Sequence, residues 1–309
     1  MNIVFFGNPE FCSYPLLELY HSKYNIVSVV TNPDKKSGRG LKLKSSFVKR
    51  KALELNIPII ESDDMYSKEL FNQLSSLKPD LFVVVAFSIL PDDILTIPNR
   101  GSVNIHPSLL PKYRGASPIQ YSILNGDNVT GVSIISLNSK IDSGNILAQK
   151  KVSIDKDANF GKMHEKLSIL GSKMLIQVID DIFLGKDRPI KQDGKKKTLA
   201  PKIKKDDLRI NPKDWDDLTA YNKIRAFDPY PGAYTYFNNK RIKLFEVILV
   251  NSTRKSGIKN GQLLIQNNSL FVFSNSMLIE IKSVQLEGKR RILSSDFIKT
   301  LEDKEYIFE

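Results

Sequence analysis

At 309 residues the chain is longer than a typical single domain, and two domains are the better expectation. A hydrophobic content of 41% suffices for globular cores, and no apolar run approaches the length of a membrane-spanning helix, which leaves no place for a membrane partner. The formal net charge of +12 favours a polyanionic partner; the single cysteine, Cys12, excludes an intrachain disulfide, and the scattered His21, His106 and His164 lack the spacing of metal ligands, so no metal is expected.

Asn2 to Phe6 is predicted as a buried first strand rather than a signal peptide, so the expected compartment is the cytoplasm, with a monomer as the expected state. Gly7-Asn8-Pro9 turns the chain toward a helix starting near Pro15. One glycine in that turn, with Gly38 and Gly40 elsewhere, does not make the three-glycine fingerprint of a dinucleotide site. Ile26 to Thr31 is the second strand. The polar stretch Asn32 to Lys44 follows, with basic residues around Gly38-Arg39-Gly40, and reads either as a solvated loop or as an arm that grips phosphates through Arg39 and Lys42.

Helices are predicted over Phe47 to Leu55 and Ser67 to Leu77, the second capped by Ser67, with a short strand at Ile57 to Ile60 between them. Leu81-Phe82-Val83-Val84-Val85-Ala86 is continuously apolar, as in a strand covered on both faces. Pro118 to Asn125 and the long apolar periodicity from Asn159 to Ile182 are further helices. The first part is therefore α/β: a Rossmann-like, mostly parallel sheet with helices on both faces.

Lysines and prolines then mark a basic linker, and the last third alternates short β-prone runs with turn pairs such as Asn238-Asn239 and Asn267-Asn268, a small antiparallel barrel ending in a short helix capped by Ser295. The expected division is a first domain at 1–188, the linker at 189–208 and a second domain at 209–309.

The chemistry concentrates between Gly101 and Leu147. Ser102 to Ile105 is a short strand stopped by Pro107 and Pro111, which puts Asn104 and His106 at its carboxyl end, where open α/β sheets bind ligands. Gly131 to Ser136 is another strand, leading into a loop that carries Asp142 toward the same rim. An amide can donate to a developing oxyanion, an imidazole can donate or shuttle a proton, and a carboxylate can orient the imidazole and hold its proton, a set suited to acyl transfer. None of the three is a strong nucleophile, so the attacking group is expected from a substrate. Taken singly, each residue has a bland reading as turn former or filler.

Asn104-Ile105-His106-Pro107-Ser108-Leu109-Leu110-Pro111, with Tyr113-Arg114-Gly115, Pro118 and Asp142-Ser143-Gly144, resembles the folate-dependent formyltransferases. Phe6 to Phe11, the Pro33-Asp34 to Gly40 loop and Asn222 to Ala233 are similar to the members that act on methionyl-tRNA, so that the likeness spans nearly the whole chain. The resemblance implies Asn104, His106 and Asp142 as catalytic residues and 10-formyltetrahydrofolate as co-substrate. It implies a folate pocket at Phe87, Ile89, Leu90, Ser108, Leu109, Leu110 and Pro111. It further implies initiator methionyl-tRNA as acceptor, held by Arg39 and Lys42 and by an OB-like second domain, in translation initiation. An amino-sugar N-formyltransferase using the same folate donor is the alternative.

Overall fold

The computed structural model describes residues 1–37, 42–215, 218–251, 258–274, 277–302 and 305–309. Two compact units emerge. One holds Met1–Pro118, Thr130–Val152 and His164–Pro201; the other holds Ile119–Val129, Ser153–Met163 and Lys202–Glu309.

In the first unit, strand β1 (Asn2–Gly7) leads through a turn to helix α1 (Ser13–Tyr20) and strand β2 (Asn25–Thr31). The polar stretch expected as a loop is partly a hairpin, β3 (Lys35–Ser37) paired antiparallel with β4 (Lys42–Lys44). Helix α2 (Phe47–Glu54), strand β5 (Ile59–Glu61) and helix α3 (Lys68–Ser76) follow, and Ser46 and Ser67 each accept from a first-turn amide as N-caps. Strand β6 (Leu81–Val85), the short helix α4 (Asp92–Leu95) and strand β7 (Ser102–His106) lead to helix α5 (Pro118–Leu124), which belongs to the second unit from Ile119 on. Strands β8 (Val129–Ser136) and β9 (Ile146–Ser153) precede helix α6 (Phe160–Phe183), whose first turn belongs to the second unit.

The seven strands of this sheet lie in the order β5-β2-β1-β6-β7-β8-β9, with β5, β2, β1, β6 and β7 parallel and β8 antiparallel to β7. Strand alternation explains why both faces are covered. Val4, Phe6, Phe82 and Val84 join Leu70, Leu74, Leu90 and Ile94 in one core layer, while Ile3 and Phe5, facing the other way, are equally buried. On β7, Ile105 lies so close to Gly171 of α6 that an added Cβ would stand 2.7 Å from its Cγ2. That face is spent on packing, so Ser102, Asn104 and His106 share the opposite one.

The second unit contains helix α7 (Thr219–Phe227) and the antiparallel strands β10 (Tyr234–Phe237), β11 (Lys240–Asn251), β12 (Leu263–Gln266), β13 (Ser269–Ser274) and β14 (Met277–Leu286), with β15 (Ile292–Leu293) paired to β14. Helix α8 (Ser294–Ile298) starts after Leu293, which makes no side-chain cap; Ser295 is already helical instead of capping it. The strand path has two open ends, β10 and β12, and the carboxyl-terminal segment joins them. Glu309 exchanges backbone hydrogen bonds with Tyr236 at 3.0 and 3.3 Å, while Leu263 N donates to Tyr306 O and Phe308 N to Gly261 O, both at 2.9 Å. Closure by that segment makes the expected barrel. In the same unit, the buried Asp228 carboxylate accepts from Asn159 Nδ2 at 2.9 Å and from Glu246 N at 3.0 Å, and Asn159 caps α6 by accepting from Lys162 N.

Candidate active site

His106 is 4% exposed, and each of its ring nitrogens faces an oxygen. Nε2 lies 2.8 Å from Tyr113 O, and because a carbonyl only accepts, Nε2 must carry the proton. Nδ1 faces Asp142 Oδ2 at 3.6 Å. A neutral ring would turn a lone pair toward that carboxylate, whereas a protonated ring presents an N–H to each acceptor. The gap at Nδ1 exceeds hydrogen-bond length, so this edge retains donor capacity for a third group.

Asp142 does not arrive as the sequence implies. Because β8 runs antiparallel, pairing Ser136 with Val103 and Ser133 with His106, it ends at the opposite edge of the sheet from His106, where Leu137 N donates to Ser102 O. The loop after β8 then folds back and returns the carboxylate to the imidazole. Asp142 adopts φ +45°, a left-handed conformation, and its Oδ2 accepts from Gly115 N at 2.8 Å. Gly115 sits at φ +122°, where an added Cβ would stand 2.6 Å from Ala200 O, so only glycine brings that amide to the carboxylate.

Asn104 is half-buried, and its Oδ1 is a buried oxygen without a hydrogen-bond partner. A buried orphan acceptor costs about 1–3 kcal/mol, so this carboxamide, two residues from His106 on the same face, is arranged for a polar group that binds there. Ser102 Oγ, at the foot of the same face, is likewise unpartnered.

The other predicted residues separate into groups. Phe87 stacks edge-on against Phe6 at 5.6 Å and packs on the core layer, Leu90 is inside that layer, and Ile89 is 57% exposed. Ser108 is fully buried, its hydroxyl donating to Lys112 O at 2.6 Å. Leu110 is buried too, with its N donating to Ser133 Oγ and its O accepting from Gln149 Nε2. Leu109 covers Gly131, where an added Cβ would meet its Cδ2 at 2.5 Å, and Pro111 O accepts from Thr198 N. Ser108 and Leu110 thus shape the turn from beneath, and Ile89 offers open apolar surface.

Arg39 lies outside the described residues, and Lys42 is described only as a backbone position in β4, paired with Ser37. The root of that arm is anchored: Lys49 Nζ lies 2.9 Å from Asp34 and 2.7 Å from Glu61, and Lys49 holds the Asp34 carboxyl below its usual range. His164 meets Phe11 edge to face rather than entering the site, and burial pushes its imidazole below the ordinary histidine value.

Sequence reasoning missed the segment that braces the site. Residues expected as linker pair instead with the Pro111 to Ser117 stretch: Tyr113 N donates to Thr198 Oγ1 at 2.8 Å, Arg114 N to Thr198 O, and Ala200 N to Arg114 O. Gln192 reaches Asp142 and Arg114 from the same segment. Among the described residues, no group of three or more His, Cys, Asp or Glu could hold a metal ion.

The formyl transferase family matches residues 1–179, and the formyl transferase C-terminal domain matches 202–302. A methionyl-tRNA formyltransferase of Thermodesulfovibrio yellowstonii is 37% identical over 299 residues, covering 96% of this chain and 94% of that one. The chain belongs to the methionyl-tRNA formyltransferase family. Its fold recurs in a methionyl-tRNA formyltransferase from Clostridium thermocellum, at 20% identity and a TM-score of 0.56, covering 93% of this chain and 98% of that one. It recurs also in a sugar 3N-formyl transferase crystallised with dTDP and 5-N-formyl-THF, at 22% identity and a TM-score of 0.68, covering 94% and 99%. Membership in the methionyl-tRNA formyltransferase family thus rests on sequence likeness over the whole chain, and the likeness to the sugar enzyme is one of fold.

Proposed function

We propose that the chain transfers the formyl group of 10-formyltetrahydrofolate to the free amine of the methionyl residue on initiator methionyl-tRNA. The observation that carries this reading is the 37% identity to a methionyl-tRNA formyltransferase through both units, 96% of the chain. Bound beside β7, the folate would supply an electrophilic formyl carbon and a leaving nitrogen. The methionyl amine, as free base, attacks that carbon. Asn104 Nδ2 and the Nδ1 edge of protonated His106 donate to the oxyanion that forms. Asp142 steadies the ring, and with it the proton that passes through water from the amine to the departing nitrogen as the carbon–nitrogen bond breaks. The orphaned Asn104 atom is Oδ1, an acceptor, which suits an N–H of a bound substrate and would thereby turn the Nδ2 edge of the same carboxamide toward the oxyanion.

The folate is assigned to the surface around Phe87 to Leu90 and Ser108 to Pro111, catalysis to residues 1–188 and tRNA to 209–309, while the connecting stretch 189–208 also braces the first unit through Gln192, Thr198 and Ala200. In the second unit, cation–π contacts join Arg209 to Tyr236 at 5.2 Å and Arg241 to Tyr234 at 5.5 Å, and the two tyrosine rings meet edge-on at 6.1 Å. Guanidinium groups interleaved with aromatic rings suit a nucleic acid, offering charge to phosphates and planes to bases.

Arg39→Ala is expected to weaken tRNA binding and to reduce the slope of log affinity against log salt by about 1, leaving folate binding unchanged. A titration across ionic strengths checks it. The assignment as a whole is tested by offering formyltetrahydrofolate with initiator methionyl-tRNA, a nucleotide-linked amino sugar or glycinamide ribonucleotide. Formylation of the tRNA alone is the expected result, and formylation of the sugar instead would replace it.

A further inference from the structure

We propose that Gln192 is a positioning residue for formyl transfer, holding the Asp142 loop in register with the imidazole. The carboxamide is 9% exposed and is used completely. Its Nε2 donates to Asp142 O at 2.9 Å and to Gly144 O at 2.7 Å, while its Oε1 accepts from Arg114 Nε at 3.2 Å and Nη2 at 2.7 Å. Two donors and two lone pairs are all that the group has. Its orientation is fixed by its partners, since a guanidinium only donates and a backbone carbonyl only accepts.

The contacts fall on both sides of the catalytic pair. Arg114 stands between Tyr113, whose carbonyl meets His106 Nε2, and Gly115, whose amide meets Asp142 Oδ2. Asp142 and Gly144 belong to the loop that must return from the far edge of the sheet, and Asp142 makes that return in a left-handed conformation at φ +45°. A sparsely populated backbone conformation persists only where its surroundings over-determine it. Gln192 does so by gripping the carbonyl of the residue itself and that of its second neighbour, and by tying both to the strand of contacts around His106. It touches no reacting atom, so its effect on chemistry is through the geometry of Asp142 and His106.

This inference rests on the formyl-transfer reading for its kinetic test but not for its structural one. In Gln192→Glu the carboxylate keeps the acceptor for Arg114 and replaces both donors with oxygens that face two carbonyls. Turnover number is expected to fall tenfold to about a hundredfold, as for a displacement of about 1 Å in a reacting group, with KM for folate and for methionyl-tRNA within about twofold of wild type. The Gly115 amide, which donates to Asp142 Oδ2, is expected to exchange its proton at least about tenfold faster by NMR, while the Phe5 amide in β1 is unchanged. Gln192→Leu, similar in size and uncharged, should give the same pattern if the glutamate variant fails to fold. Unchanged turnover, a loss carried by KM, or faster exchange spread equally over β1 would each overturn the proposal. A wild-type protein inactive on methionyl-tRNA would overturn the functional reading instead, and exchange at Gly115 would still decide the role of Gln192.

Discussion

Asp142→Asn is expected to lower the turnover number for methionyl-tRNA formylation by about a hundredfold to a thousandfold, a loss of roughly 3–4 kcal/mol of transition-state stabilisation. The substitution isolates charge from shape. Asparagine keeps an oxygen that can accept from Gly115 N, so the loop can stay where it is, but the group facing His106 Nδ1 is no longer anionic. His106→Ala should cost a similar factor for a different reason: it removes the donor itself, together with its contact to Tyr113 O. Combining the two should cost little more than either alone, because residues that act as a unit are not additive. Single-turnover kinetics at saturating folate and tRNA, with binding measured separately, check the prediction. A variant that formylates at the wild-type rate would remove its residue from the chemistry.

The second large effect is structural. An added Cβ at Gly144 would lie 1.6 Å from Ser136 O and 2.8 Å from Ser136 C, both backbone atoms of β8, so nothing flexible can yield. Gly144→Ala is therefore expected to destabilise the first unit by more than about 3 kcal/mol and to lower its melting temperature by roughly 6 °C or more. Because Gly144 is two residues from Asp142, the loop shift that relieves the clash should also reduce activity. Gly194→Ala serves as the control, since a Cβ there meets nothing within 4 Å. Calorimetry of the two variants side by side reads the contrast, and equal melting temperatures would refute it.

Much of this arrangement is legible in the sequence because it depends on local signals. The unbroken apolar run Leu81 to Val85 requires cover on both faces, and in the structure all five residues are buried, on a strand between β1 and β7 in the parallel part of the sheet. Prolines after His106 end β7 where expected, and alternation along it puts Asn104 and His106 on one face. Strand direction is another matter. Nothing in Gly131 to Ser136 distinguishes a parallel from an antiparallel strand, so the path of Asp142 had to be seen. Gln192 and Thr198 were invisible for a related reason. They sit in a lysine- and proline-rich stretch without periodicity, and their partners Arg114 and Tyr113 are 78 and 85 residues away. A weak cue existed in Gln192 and Thr198 themselves, uncharged side chains among lysines. The short hairpin of Lys35–Ser37 with Lys42–Lys44 carries no apolar alternation that would reveal it.

The joining of Tyr306 to Glu309 with both β10 and β12 also governs how the second unit behaves toward its own kind. An unfinished sheet carries two adhesive borders, each a template for another molecule. Trimming these last residues would thus be felt first as self-association on concentration, before any change in the chemistry at His106.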